Sequence, residues 1–124
     1  MIEEYSLGVD NYQLGFPKGV IDPGEDCLQA ANRELMEEAG YGAKHLEKVK
    51  TLAIAPGHMS MEIDVVFAHD LYEKRLPGDE PESLGVVPWP IADIPKLMES
   101  DRFLDARSVA AVLMFYAGLI HVKS

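Results

Sequence analysis

Three glutamates, Glu34, Glu37 and Glu38, stand close together in this 124-residue chain. On a helix, which turns about 100° per residue, they fall within roughly 100° of one another. Carboxylate oxygens clustered without His or Cys suit Mg²⁺ or Mn²⁺ better than zinc. Like charges four residues apart destabilise a helix by roughly 0.2–0.5 kcal/mol per pair, which a bound cation would offset. On the cluster alone, a solvated acidic helix face is the favoured interpretation, because glutamate runs on surface helices are common.

The segment that carries these glutamates is predicted to be a helix from Asp26 to Ala39. It contains neither Gly nor Pro, and its apolar residues recur at helical spacing. The features that support the helix are the apolar face Leu28, Ala31 and Leu35, the acidic start Asp22, Glu25 and Asp26, and Gly40 just past the end. The apolar face should pack against a sheet, and the neighbouring face should present the carboxylates.

The other elements that must position this helix are strands and helices in alternation. Residues 1–16 are expected to be irregular and to lead into the turn-rich loop 17–24. Strands are predicted at Lys48–Ala55, Met61–Ala68 and around Gly85–Trp89, with a hairpin-like loop at 56–60; helices are predicted at Ile91–Glu99 and Asp105–Ile120, the last burying Val109, Val112, Leu113, Tyr116 and Ile120. The pattern predicts a sheet covered by helices.

A fixed spacing of residues links the glutamates to the loop before the helix. From Gly19 the chain reads five residues, Glu25, seven residues, Arg33-Glu34-Leu35, one residue, Glu37-Glu38, one residue, Gly40 and then Tyr41. This resembles the Nudix box at every defined position, with Tyr41 where the family more often has an aliphatic residue. Eight fixed residues across 23 positions make chance a poor explanation. The chain therefore resembles the Nudix hydrolases.

The resemblance implies a role for each residue of the box. It makes Glu34 and Glu38 the main metal ligands, joined by Glu37 directly or through water. The other implied roles are the Lys18 carbonyl as a further ligand and substrate contact, Arg33 and Glu25 as residues that orient the glutamates, and Gly19 and Gly24 as turn residues beside the metal. The implied cofactor is Mg²⁺ or Mn²⁺.

The resemblance extends beyond the box to Nudix hydrolases that act on ADP compounds. The further stretches are Tyr12–Gly19, Ala30–Leu35, Ala55-Pro56, Asp70–Tyr72, Gly78–Glu82 and Trp89-Pro90. The implied reaction is hydrolysis of the diphosphate in ADP-ribose, NADH or diadenosine polyphosphates, which gives AMP and a phosphorylated product. The residues that could take the proton of the attacking water are Glu37, Glu80 and Glu82, with Arg33 also catalytic and His58 as a substrate contact. For Glu80 and Glu82 a solvated loop is an equally good interpretation, and a lone loop histidine is more often a bystander.

The implied fold is α+β, a Nudix α/β/α sandwich around a mixed sheet, formed by one domain over residues 1–124. Family members carry several strands before the segment with which this chain begins, so we expect those N-terminal strands to be missing. Unpaired sheet edges can pair with another chain, which predicts a homodimer. The competing outcome is a compact monomer whose first 16 residues fold back as a replacement strand. Two other functions stay open: a Nudix-like module that binds a nucleotide or a partner without catalysis, and an inactive truncated product.

Charge and composition limit the partners. Acidic residues number 21 against 11 basic ones, a formal net charge of −10. Such a surface repels nucleic acids and anionic membranes, so neither is an expected partner. The partner that the resemblance implies is a small nucleoside diphosphate conjugate. One cysteine excludes a disulfide within the chain, and the longest apolar run, 109–120, is too short to span a bilayer. Because the start of the chain is acidic, without the basic flank of a signal peptide, the expected location is the cytoplasm.

Overall fold

A computed structural model describes residues 1–6, 11–77 and 85–118 of the chain. In chain order the elements are β1 (Ile2–Ser6), β2 (Asn11–Gly15), α1 (Cys27–Glu38), β3 (Tyr41–Ile54), β4 (Met61–Glu73), β5 (Gly85–Val86), a 3₁₀ turn (Ile91–Asp93), α2 (Ile94–Met98) and α3 (Ala106–Tyr116). They fall into two compact units: the helix–hairpin unit, Lys18–Leu76, and the split unit, Met1–Pro17 with Pro77–Ser124. Among the described residues, no helix is long and apolar enough to cross a bilayer.

In the split unit, three strands form an antiparallel sheet in the order β2-β1-β5. Residue Ile2 pairs with Gly15 on one side and with Val86 on the other. The expectation that residues 1–16 are irregular is therefore wrong. Ile2 is 1% exposed and Leu14 5% exposed, so burial of these side chains stabilises strands whose local sequence gives little sign of them. Strand β5 is shorter than the predicted 85–89.

The core of the split unit is formed by β2, α2, α3 and the loop that joins the two helices. Its buried members are Leu14, Ile94, Leu97, Phe103 and Val112. The predicted buried face of α3 is only partly right, because Val109 is half-buried and Val112 buried, whereas Leu113 and Tyr116 are 44% and 53% exposed. Ile120 lies outside the described residues.

The buried positions of α3 instead include a serine. Ser108 is 4% exposed, and its hydroxyl donates to Asp105 Oδ2 at 3.0 Å while accepting from the Phe16 amide at 3.1 Å. Because α3 is almost wholly apolar, such contacts rather than periodicity decide which of its faces is buried. Asp105 also caps the helix, since its carboxylate accepts from the Ser108 amide at 3.0 Å.

Replacing Asp105 should test this cap. We expect Asp105→Ala to lower the free energy of unfolding by about 1–2 kcal/mol, with a smaller loss for Asp105→Asn, which keeps an acceptor oxygen. Burial raises the pKa of Asp105, but hydrogen bonds from Arg107 and Ser108 outweigh this effect and hold the pKa below its ordinary value. The ionised group therefore stabilises the fold above its ordinary pKa, and this contribution is lost as the pH falls through the lowered pKa.

Urea unfolding at neutral pH and near pH 3 is the measurement for this prediction. The difference in stability between the wild type and Asp105→Asn should shrink at the acidic pH. Equal stability of the wild type and Asp105→Ala at neutral pH would contradict the assigned cap.

In the helix–hairpin unit, α1 is followed at once by the long antiparallel hairpin of β3 and β4. Gly40, with φ of +77°, turns the chain directly after the helix, so β3 begins at Tyr41 rather than at the predicted Lys48. Tyr41 pairs with Glu73, which extends β4 five residues past its predicted end. The loop at 56–60 lies where it was expected.

Close packing fixes α1 on this hairpin. The Ala43 amide donates to Asn32 Oδ1 at 2.9 Å. Gly42 lies against the Tyr72 ring and the Met36 methyl group, at distances that leave no room for a side chain. The predicted helix is confirmed to within one residue at each end.

The buried face of α1 differs from the predicted one. Leu28, Ala31 and Leu35 are half-buried, and the fully buried residues are Ala30, Met36 and Glu38. Contact with the Gly42 backbone draws Met36 inward, a close approach that helical spacing does not reveal.

The α+β class is as predicted, but the strand arrangement differs. In the described residues the strands form two sheets, and every pairing is antiparallel rather than mixed. The β1–β2 and β3–β4 connections are a few residues long, whereas a parallel crossover needs a dozen or more.

Candidate functional site

The loop before α1 is shaped by a tight turn and a capping box. Gly24 has φ of +85°, a conformation that favours glycine. The Asp26 carboxylate accepts from the Gln29 amide at 2.8 Å, and the Gln29 side chain accepts from the Asp26 amide at 3.0 Å. These reciprocal bonds satisfy backbone donors at the start of α1 and fix the position at which the loop leads into the helix.

Arg33 is the centre of the site. Its Nε and Nη2 donate to the two Glu25 carboxylate oxygens at 2.8 and 3.1 Å. Its Nη1 donates to Glu34 Oε1 at 2.8 Å and to Glu37 Oε2 at 3.2 Å. Nη2 also donates to the Val20 carbonyl at 3.0 Å. These contacts occupy all five N–H bonds of the guanidinium and hold two box glutamates, the loop and the helix in one arrangement.

The charges around Arg33 do not balance. The carboxylates of Glu25, Glu34 and Glu37 contact it, and Asp22 Oδ2 lies 3.4 Å from its Nε. Four negative groups around one guanidinium leave three net negative charges. The hydrogen bond from Arg33, followed by one from the Asp22 amide, lowers the pKa of Glu25, and the bond to Glu25 in turn raises the pKa of Arg33. The cluster therefore carries a net negative charge and favours a further cation.

Glu34 and Glu38 lie against the main chain at residues 18 and 19. Glu38 is 5% exposed, and its Oε2 accepts from the Lys18 amide at 3.0 Å. The Glu34 carboxylate occupies the space that a Cβ on Gly19 would need. Gly19 thus allows this close approach of Glu34. Of the two glycines expected to let the backbone turn tightly, Gly24 has the left-handed conformation that favours glycine.

The side chains present fit a hard divalent cation by their chemistry. Glu34, Glu37 and Glu38 offer only oxygen, and the net negative charge around Arg33 favours a cation. Within the described ranges, however, no three carboxylate, histidine or cysteine groups converge into a ready-made metal site. Arg33 Nη1 instead bridges Glu34 Oε1 and Glu37 Oε2.

His58, a predicted substrate contact, is not brought to this cluster. His58 lies in the exposed turn between β3 and β4, where its amide donates to the Ala55 carbonyl at 2.9 Å. Leu46 lines a shallow groove of about 340 Å³ together with Asn32 and Arg33 of α1. Ile54, where β3 ends before the turn that holds His58, is eight residues from Leu46 along the strand. At about 3.3 Å per residue this is a distance of roughly 26 Å, which separates the turn from Arg33. Glu80 and Glu82 fall outside the described residues.

Reasoning from the sequence missed two residues that hold α1 in place. Asn32 accepts the Ala43 amide, and Arg75 Nη1 donates to the Glu37 carbonyl at 3.0 Å. An asparagine inside a helix is a weak helix former, a signal that could have drawn attention to Asn32. Arg75 follows β4, 38 positions after Glu37, and no local pattern reveals a contact at that separation.

Comparison with known proteins decides the family. The sequence model of the NUDIX domain matches residues 3–111. The chain belongs to the Nudix family. It is 48% identical over 114 residues, 92% of this chain, to the ADP compounds hydrolase NudE of Escherichia coli. It is 31% identical over 114 residues, 90% of this chain, to an ADP-ribose pyrophosphatase of Bacillus subtilis.

A solved structure establishes the Nudix fold directly. A crystal structure of an ADP compounds hydrolase matches with a TM-score of 0.89 and 47% identity over 95% of this chain. The chain spans 61% and 62% of the two curated Nudix relatives and 64% of that solved chain.

Proposed function

We propose that this Nudix chain hydrolyses the diphosphate of ADP conjugates, such as ADP-ribose, NADH or diadenosine polyphosphates, to AMP and a phosphorylated product. The observation that carries the proposal is the Arg33 network, which fixes Glu34 and Glu37 on α1 while Glu38 is bound to the Lys18 amide. Support for the substrate class comes from relatives named for ADP compounds and ADP-ribose.

In this proposal Glu34, Glu37 and Glu38, with the Lys18 carbonyl, would hold Mg²⁺ or Mn²⁺. A divalent ion bound there would neutralise negative charge on the phosphate oxygens of the substrate. Arg33 and Glu25 orient the glutamates, because the guanidinium leaves each carboxylate little freedom to rotate. A glutamate accepts the proton of the water that attacks phosphorus; the candidates are Glu37, Glu80 and Glu82.

A substrate panel tests the proposal. ADP-ribose, NADH and diadenosine tetraphosphate would be incubated with the protein and Mg²⁺, and AMP would be measured. AMP release from at least one of them supports the proposed reaction. Binding of these compounds without AMP release would instead favour the non-catalytic module, and neither binding nor release would favour an inactive product.

Gly19→Ala is expected to lower turnover roughly 10- to 100-fold, the usual effect of disturbing a residue beside a metal ligand. The added Cβ would overlap the Glu34 carboxylate and displace it. Gly57→Ala is the matched control, because a Cβ there meets nothing within 4 Å. Steady-state kinetics of both variants checks the prediction, and equal turnover of Gly19→Ala and the wild type would contradict the placement of Glu34.

We also propose a homodimer with no role in nucleic-acid or membrane binding. The net charge of −10 disfavours anionic polymers and membranes. Met61 and Leu71 of β4 are 47% and 54% exposed, apolar surface that a second copy could cover. Sedimentation at low micromolar concentration tests this, and a well-folded monomer there would refute it.

A further inference from the structure

The C-terminal end of α1 has an unfavourable distribution of charge. Glu37 and Glu38 lie in its last turn, where the helix dipole favours cations rather than carboxylates. All residues of α1 are described, and none in its last turn is basic. A cationic group at the carbonyl end of this turn, which carries two of the three box glutamates, would therefore stabilise it.

Arg75, just after β4, lies at this end of the helix. Its Nη1 donates to the Glu37 carbonyl at 3.0 Å. Its guanidinium lies against Gly40 so closely that a Cβ there would be 2.9 Å from Nη2 and 3.1 Å from Nε. The φ of +77° favours glycine at this position, and a Cβ there would push the Arg75 guanidinium away from its present place.

Two main-chain hydrogen bonds hold Arg75 in this place. The Lys74 amide donates to the Gly40 carbonyl at 3.0 Å, and the Leu76 amide donates to the Met36 carbonyl at 3.2 Å. With the Arg75 side chain, three consecutive residues contact carbonyls at the end of α1. Hydrogen bonds from the segment Lys74–Leu76 therefore hold the end of α1 in place.

We propose that Arg75 is a positioning residue for the metal-binding glutamates, acting through the main chain of the last turn of α1. Arg33 holds the Glu37 carboxylate, whereas Arg75 holds the Glu37 carbonyl, so both ends of the residue are fixed by a guanidinium. Loss of Arg75 frees the turn to fray, and Glu37 and Glu38 then lose the fixed main-chain positions from which they would reach a cation. The functional part of this inference rests on the proposed function.

The first test measures the turn itself in metal-free protein. Hydrogen exchange of the amides of residues 37–40 should become roughly tenfold faster in Arg75→Ala, while amides in the middle of α1 keep their rates. Arg75→Lys, which keeps the charge but lacks the planar fork, should fall in between. Lys74→Ala is the matched control, since it removes a neighbouring exposed cation and keeps the Lys74 amide. Unchanged exchange at residues 37–40 in Arg75→Ala overturns the proposal.

The second test follows the consequence for metal. Mn²⁺ binding, followed by electron paramagnetic resonance without substrate, should weaken roughly tenfold in Arg75→Ala and stay unchanged in Lys74→Ala. Kinetics should show a higher Mg²⁺ requirement with little change in the KM for the nucleotide. Faster exchange with unaltered Mn²⁺ affinity would show a purely structural role and overturn the positioning role. Failure of the wild type to hydrolyse any substrate would refute the proposed function and leave the exchange result standing.

Discussion

Glu38→Gln should lower turnover about a hundredfold or more, because it removes one charge from the proposed cation site. The substitution keeps the shape of the side chain. Its amide oxygen can still accept the hydrogen bond that the Lys18 amide donates to Glu38 at 3.0 Å. Because Glu38 is almost fully buried, loss of its charge also removes a desolvated carboxylate. We therefore expect the free energy of unfolding to change by less than about 1 kcal/mol.

Steady-state kinetics and urea unfolding of the same preparation separate these two effects. Glu47→Gln provides the control, since it makes the same chemical change at an exposed position of β3. It should keep near-normal turnover. Near-normal turnover of Glu38→Gln would show that Glu38 does not bind the cation.

Arg33→Lys should lower turnover roughly 10- to 100-fold although it keeps the positive charge. A lysine ammonium cannot reproduce the planar fork that contacts both Glu25 oxygens together with Glu34 and Glu37. The two box glutamates would gain rotational freedom. With its hydrogen bonds from Arg33 lost, the pKa of Glu25 should return toward its ordinary value.

Kinetics combined with an NMR titration of the Glu25 carboxyl group tests this role. Arg107→Lys is the matched control, because Arg107 contacts only the Asp105 carboxylate among the bonds described for it, in the split unit. It should leave turnover and the Glu25 titration unchanged. Wild-type turnover in Arg33→Lys would contradict the view that the fork geometry orders the glutamates.

The sequence was sufficient for the parts of the fold that depend on local signals. The helix from Asp26 to Ala39 and the loop at 56–60 were predicted from breakers, caps and periodicity, and the structure confirms both. Strands β1 and β2 pair locally, but they were missed because the contacts that stabilise them are distant in sequence: Ile2 pairs with Val86, and Leu14 packs in the core with residues of α2 and α3. Burial on α3 was misjudged because an apolar helix has no single periodic face.

The candidate site shows the same limit at finer scale. The box spacing placed Arg33 beside Glu25 and the glutamates, but could not show that Glu38 is bound by the Lys18 amide. It also could not show that Arg75, from the far end of the hairpin, holds the last turn of α1. These contacts are set by tertiary packing. The roles of individual residues in metal binding and catalysis stay predictions.

The central claim is that carboxylates on α1 use a divalent cation to cleave a diphosphate, and metal depletion with add-back tests it most directly. The protein would be freed of metal with EDTA and incubated with ADP-ribose, and AMP would be quantified before and after excess Mg²⁺ is added. We predict no AMP release in the chelator and full recovery with Mg²⁺. AMP release that persists in excess EDTA would contradict the account.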